Sequence, residues 1–226
     1  MTDRTPPMEE ISNRYKKFYS GLIFDIMEEM GLPHQALATD IRPLRPDVVI
    51  AAPAFTVQMV NDPTGDPDLR EKRIRMFKEM TYPCIDIRDA GFDTRAAHYG
   101  EMNATLGAKF GCVGAVIDGG TRDSRHINER GFPVFARYQT PVEALGRSSY
   151  FRWQVPITIR GAITATVTVN PGDFIFGDID GLISIPKDVV LDVLDRCEEL
   201  YDRENHAREE FRAGDPEAVY RKYGRL

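Results

Sequence analysis

Apolar positions near the start of the chain recur with a helical period. Ile11, Tyr15, Phe18, Leu22, Ile26 and Met30 predict a helical segment over about 8–31, ended by Gly31 and Pro33. Ser20-Gly21 interrupts the pattern, so one helix or two satisfy it. The run from Ala52 to Val60 predicts a strand, and residues 61–68, with Pro63 and Pro67, predict a loop. A short helix is expected from about 69 to 80 and a strand near Cys84–Ile87. Next come a helix over about 100–111 closed by Gly111, a strand Val113–Ile117, a helix near 124–130 and a strand Pro133–Arg137. Strand and helix alternate, which predicts a parallel or mixed α/β core.

The second half changes character. Val155–Ile159, Ala162–Val169, Asp173–Gly177 and Leu182–Ile185 read as short strands with turns at Gly161, Pro171-Gly172 and Asp178–Gly181. Pro186 opens a long helix over about 187–212, with Val189, Val193, Leu194, Cys197, Leu200 and Tyr201 along one face. Gly214-Asp215-Pro216 stops it ahead of a short helical tail. Trp153 and the Tyr150-Phe151 pair read as packing or subunit contact. No repeat or linker divides the chain, so one domain over 1–226 is the expectation.

Composition narrows the function. The chain has 226 residues, 42% hydrophobic and 28% charged, enough for a sizeable core. A formal net charge of -6 with scattered basic residues argues against nucleic-acid binding. No apolar run is long enough to span a membrane, and no signal core leads the sequence. Cys84, Cys112 and Cys197 are too far apart for a zinc knuckle or a disulfide framework; Cys84 and Cys112 read as packed thiols, and a cytoplasmic protein is the expectation.

The candidate chemistry lies in two loops flanking one predicted helix. In Val116–Asp123 an apolar strand ends at Asp118, two glycines follow, and Arg122 stands beside Asp123. Such a loop suits an anionic substrate on the Arg and a divalent metal on the Asp; a surface ion pair is the plain alternative. In Tyr99–Asn103 the free N–H groups of a helix start suit a carboxylate, and Gly100 allows close approach. Glu101 is placed to bond a metal-bound water or move a proton, or else simply to favour the helix N-terminus. In a right-handed β-α-β unit the two loops converge, gathering Glu101, Arg122 and Asp123 around one cavity. So few ligands suit Mg²⁺ or Mn²⁺, which keep several waters.

These residues resemble the RraA-like family. Gly100-Glu101, Gly111, Gly114–Asp123 and Pro133–Ala136 carry the likeness. It continues in Asp25 within Ile23–Met27, in Ala52–Val57, in Pro171–Asp173, in Gly177–Gly181 and in Ile185-Pro186, covering about residues 20–212. The family includes the class II 4-hydroxy-4-methyl-2-oxoglutarate (4-carboxy-4-hydroxy-2-oxoadipate) aldolases.

The resemblance implies a β/β/α swivelling-type single domain, assembled as a homotrimer or a dimer of trimers with sites between subunits. It implies a divalent-metal-dependent lyase, a class II pyruvate aldolase that cleaves a 4-hydroxy-2-keto acid to pyruvate, with oxaloacetate decarboxylation as a side activity. Arg122 would bind the pyruvate oxygens, Asp123 would ligate Mg²⁺ or Mn²⁺, and Glu101 would hold a metal-bound water. The Met102 and Asn103 amides, beside Gly100, would receive the pyruvate carboxylate. A glutamate of the neighbouring subunit's C-terminal helix would complete the site, with Glu204 the candidate and Glu209 and Glu210 competing. The family also implies an alternative, a non-enzymatic regulator that binds ribonuclease E as RraA does. Two stretches depart from the family pattern: Pro83–Asp89, and the ring pair His98-Tyr99 before Gly100. They leave the substrate beyond its pyruvate part open.

Overall fold

The computed structural model describes residues 6–223. Helices α1 (Met8–Tyr15) and α2 (Ser20–Glu29) fill the N-terminal helical segment as two pieces. The break falls at 16–19, just ahead of Ser20-Gly21. There the Ser20 N–H and Oγ both donate to the Asp178 carboxylate at 2.8 Å, which pins the start of α2.

The alternating region follows: β1 (Arg42–Pro43), β2 (Ile50–Asn61), α3 (Leu69–Lys78), β3 (Cys84–Asp89), β4 (Ala97–Tyr99), α4 (Glu101–Lys109), β5 (Cys112–Thr121), α5 (Ser124–Glu129) and β6 (Val134–Gln139). Five short strands come next: β7 (Ser148–Trp153), β8 (Ile157–Arg160), β9 (Thr166–Val169), β10 (Phe174–Gly177) and β11 (Leu182–Ile185). A 3₁₀ turn (Lys187–Val189) then leads into α6 (Val190–Ala213), and α7 (Pro216–Tyr223) ends the described chain.

Among the described residues the main sheet has nine strands, in the order β1-β6-β5-β3-β2-β10-β11, with β4 alongside β5 and β7 alongside β2. The pairings β2-β3, β3-β5, β5-β6 and β4-β5 are parallel; β1, β7, β10 and β11 join antiparallel. The architecture is therefore mixed α/β, as the alternation predicts. Strand β3 is buried along its whole length, which suits a strand covered on both faces.

Four hydrophobic clusters hold the sheet among the described residues, and two of them pack α1, α2, α6 and α3 against it. Tyr15, Leu22, Ile23 and Met27 of α1 and α2 pack with Leu194 and Cys197 of α6 onto Phe174 and Phe176 of β10. The Tyr15 hydroxyl, buried there, donates to the Val190 carbonyl at 2.7 Å. Elsewhere Met76 and Phe77 of α3 pack on Phe55 and Val57 of β2, with Cys84, Cys112 and Tyr150 in the same cluster. Each fully buried apolar side chain of this size contributes roughly 1.5–3 kcal/mol. All three cysteines are free and buried. Among the described residues no helix is long and apolar enough to cross a membrane.

Three expectations change. Strand β5 runs on through Gly119, Gly120 and Thr121, so only Arg122 and Asp123 form the turn into α5. The segment Tyr150–Trp153 belongs to β7, paired with the end of β2. Residues 162–165 are a turn, and β9 starts at Thr166.

Candidate active site

Strands β4 and β5 lie parallel, with Ala97 opposite Gly120 and Tyr99 opposite Thr121, so both release their helices at one edge of the sheet. The approach is close: a Cβ on Gly120 would lie 2.4 Å from the Tyr138 ring and 2.6 Å from the Ala96 carbonyl oxygen. Hydrogen bonds join the two turns. The Arg122 N–H donates to the Tyr99 carbonyl at 3.0 Å, and the Glu101 N–H to Asp123 Oδ2 at 3.2 Å. Gly100 caps α4 with extended backbone, so its smallness serves space and not conformation. A Cβ there would lie 2.7 Å from Asp123 Oδ2 and 3.3 Å from Arg122 Cγ.

Arg122 and Asp123 line a cleft of ≈ 310 Å³ together with Gly100, Met102, Asn103, Glu143 and Tyr150. The Arg122 guanidinium sits 3.2 Å from Glu143 and 3.6 Å from Asp123, and is one-third exposed. Asp123 holds a left-handed backbone, φ 59, which is unusual for a residue with a side chain but tolerated by Asp and Asn.

Not every expected residue joins this group. Glu101 does not line the cleft; its carboxylate lies 2.8 Å from the Arg130 guanidinium in an ion pair and accepts from the Thr105 hydroxyl at 2.8 Å. The Asn103 N–H is spent on the Gly100 carbonyl at 3.0 Å, which corrects the pairing of two receiving amides. The Met102 N–H is left without an acceptor among the described residues and is the free donor of this turn. Glu204 sits on α6 with Tyr19 and Arg208, and within one chain it does not line the cleft.

His98 lies in β4 at the cleft wall, buried, with both ring nitrogens unpartnered. Burial pushes its pKa down to about 4 against the pull of Asp93, whose Oδ2 is 3.6 Å from Nε2, so the imidazole is neutral at neutral pH.

Several residues in or directly behind the cleft escaped the sequence reading. Arg88 of β3 is fully buried, 2.7 Å from Asp86. Its Nη1 donates to the His98 carbonyl at 3.0 Å and to the Tyr150 hydroxyl at 3.1 Å. The Tyr150 hydroxyl in turn donates to Asn103 Oδ1 at 3.5 Å, so a buried cation fixes a hydroxyl at the cleft. The signal was an Asp and an Arg two apart in an apolar strand, which share one face and can pair. Arg70 and Arg73 of α3 also line the cleft; helical spacing alone marks them as ordinary surface cations.

The donor set bears on a metal. Among the described residues no group of three or more His, Cys, Asp or Glu stands ready to hold an ion. A caged ion such as Zn²⁺ therefore does not fit. An ion that takes one or two protein oxygens and keeps its waters does, because Asp123 borders a cleft and the missing Cβ of Gly100 leaves space at Oδ2.

The family model described as RraA-like, Aldolase/RraA, matches residues 21–184. A Halalkalibacterium halodurans protein provisionally named 4-hydroxy-4-methyl-2-oxoglutarate aldolase is 30% identical over 161 residues, 71% of this chain and 71% of that protein. A crystal structure described as one of novel cellulases from microbes of the gut ecosystem superposes with a TM-score of 0.83 at 33% identity, covering 91% of this chain and 90% of that one. Streptomyces coelicolor RraAS2, described as an unusual member of the RNase ES inhibitor RraA protein family, superposes at 0.75 with 20% identity, covering 91% of this chain and 98% of its own. At that identity the likeness speaks for the fold alone.

Proposed function

This chain belongs to the RraA-like family, and from that premise we propose that it is a carbon–carbon lyase releasing pyruvate from a 4-hydroxy-2-keto acid, with oxaloacetate decarboxylation as a side reaction. The observation that carries this reading is the juxtaposition of Arg122 and Asp123 with the free Met102 N–H around one cleft.

Retro-aldol cleavage passes the proton of the 4-hydroxyl to water in the cleft, turns that carbon into a carbonyl, and leaves the bonding pair on C3 of the keto acid as an enolate, which takes a proton from water at C3 to become pyruvate. Two groups of the chain meet that charge. The Met102 N–H, at the start of α4, receives the carboxylate, where the helix dipole favours an anion. The Arg122 guanidinium, already positioned by Glu143, donates to the ketone oxygen and stabilises it as negative charge develops. Asp123 would hold Mg²⁺ or Mn²⁺, which when bound supplies Lewis-acid charge at the same oxygen. Arg88 fixes Tyr150, and Tyr150 fixes the Asn103 side chain beside this turn. Loss of CO₂ from oxaloacetate generates the same enolate, so these residues serve both reactions. The active assembly in this reading is a homotrimer or a dimer of trimers, in which a neighbouring subunit's α6 supplies Glu204; light scattering on the purified protein tests it.

The test is pyruvate release from 4-hydroxy-4-methyl-2-oxoglutarate and from oxaloacetate with Mg²⁺ or Mn²⁺. Wild type is expected to turn over at least one, and Asp123→Asn to lose 10²-fold or more, on the order of one electrostatic group at a reacting centre. Wild-type protein inert on both substrates with either metal would overturn the lyase reading and leave the ribonuclease-binding alternative.

A further inference from the structure

Cleavage of a 4-hydroxy-2-keto acid must lift the proton from the 4-hydroxyl. Glu101, the carboxylate the sequence offers for moving a proton, stands outside the cleft in its pair with Arg130. Most cleft groups able to take up a proton are committed elsewhere. The His98 ring has no exposed surface: Nε2 faces Asp93, and Nδ1 lies 2.8 Å from where a Cβ on Gly119 would be. Burial pushes the Tyr99 hydroxyl well above its ordinary pKa, so it keeps its proton. The Tyr150 hydroxyl is tied to Arg88 and Asn103. Asp123 accepts the Glu101 N–H and is the side chain that would hold the metal. That leaves Glu143.

The surroundings of Glu143 suit the task. Its backbone is anchored to β4: the Ala97 N–H donates to the Val142 carbonyl at 2.8 Å, and Ala97 and Glu143 are parallel bridge partners. Its Oε1 meets Arg122 Nη2 at 3.2 Å, which leaves Oε2 to water in a side chain 52% exposed. A base that sheds its proton after every turnover needs that access. The substrate fits the same spacing. Three carbons separate the ketone oxygen from the 4-hydroxyl, so the two oxygens can stand a hydrogen bond apart, at roughly 3 Å. A carboxylate on the guanidinium that meets the ketone oxygen then reaches the hydroxyl, directly or through one water.

We propose that Glu143 is the proton acceptor of carbon–carbon cleavage, a role that oxaloacetate decarboxylation does not call on. This rests on the lyase reading of the Arg122–Asp123 turn. The 4-hydroxyl gives its proton to a cleft water, and that water gives one to Glu143 Oε2. The C3–C4 bond breaks, C4 becomes a carbonyl, and the bonding pair goes to C3 as the enolate. The enolate takes a proton from water at C3, and the Glu143 acid returns its own to water, so protons balance. Oxaloacetate has no 4-hydroxyl. It loses CO₂ to give the same enolate, with no proton to remove first.

The two reactions therefore separate a base from a mere support. Rates of pyruvate release are measured with Mg²⁺ on 4-hydroxy-4-methyl-2-oxoglutarate and on oxaloacetate. Glu143→Gln keeps an oxygen for Arg122 but loses the basic carboxylate, at an exposed position where folding tolerates the change. Cleavage is expected to fall by about 10²-fold or more, and decarboxylation by no more than about threefold. Formate added to Glu143→Ala should raise cleavage about tenfold or more over the variant alone, and move decarboxylation by less than about twofold. Equal losses in both reactions would overturn the proposal and leave Glu143 as a support for Arg122. So would cleavage that survives Glu143→Gln to within about threefold. Wild type that decarboxylates oxaloacetate yet leaves 4-hydroxy-4-methyl-2-oxoglutarate intact would remove the step that Glu143 serves, and the proposal with it. Wild type inert on both would bring down the lyase reading itself.

Discussion

Asp123 answers two demands at one position. Its carboxylate faces the cleft and accepts the Glu101 N–H, while its backbone holds φ 59 to turn the chain from β5 into α5. Asn tolerates that backbone nearly as well as Asp, whereas a residue such as Ala pays about 1–2 kcal/mol for it. Asp123→Asn should therefore lower pyruvate release by about 10²-fold or more while moving stability by only about 1 kcal/mol or less, because the ion pair it loses is partly exposed. A parallel melting curve checks this. His98 gives a residue-scale prediction of a different kind. Its folded pKa of about 4 lies below the ordinary 6.5, so between those values the unfolded chain binds the extra proton. Its contribution is complete above 6.5 and is lost as pH falls toward 4, at about 1.4 kcal/mol per pH unit. Asp118 runs the other way: burial, with Asp40 adding to it and Arg137 opposing, pushes its pKa up to about 6, so acidification favours the folded state there. The wild-type curve mixes both, so the informative quantity is the difference between wild type and His98→Gln in urea unfolding. That difference should shift by roughly 2 kcal/mol toward the variant between pH 6.5 and 4.5. A difference flat in pH would show that His98 does not titrate this way.

At the scale of elements, what the sequence hid shares a physical origin. Helical periodicity and apolar runs placed α1, α2, β2, α3, α4, α6 and β11 to within a few residues, because each buries one face or a whole strand. Asp118-Gly119-Gly120 reads locally as a turn, yet it continues β5, because β4 and the Tyr138 ring approach so closely that only a residue without a Cβ fits at 120. Strand β7 was concealed by its serines and Arg152 at an edge pairing, and with it went Tyr150. Arg122 and Asp123 were legible because they adjoin in sequence. Arg70, Arg73 and Ser148 were not, because only the packing of α3 and β7 brings them to the same cleft. Strand β3 makes the sharpest element-scale prediction. Asp86 and Arg88 are fully buried on one face, and the arginine lies under the rings of Tyr99 and Tyr150. Arg88→Met should cost about 3–5 kcal/mol, since it strands a carboxylate in the core, whereas Asp86→Leu together with Arg88→Met should cost far less than the two single changes added. Chemical unfolding of the three variants decides it; additive costs would mean that the pair is not coupled.

The molecule as a whole is acidic, yet its cleft carries an excess of arginines over carboxylates, and two of its four hydrophobic clusters hold its thiols in different places. The α1-α2-α6 layer covers β10, and the α3 layer covers β2 and β3. Each layer encloses thiols: Cys197 the first, Cys84 and Cys112 the second, with the latter two opposite each other in the β3-β5 register. Burial pushes the Cys197 thiol up to about 12, and all three are shut away from reagents. The chain thereby contains two internal clocks. Under native conditions an alkylating reagent reaches a thiol only when its layer opens, so labelling rates read by mass spectrometry time each layer separately. Cys84 and Cys112 should be modified together, at a rate distinct from that of Cys197. Independent labelling of Cys84 and Cys112 would mean that β3 and β5 do not open as one unit. Without any added probe, this protein can report which of its halves lets go first.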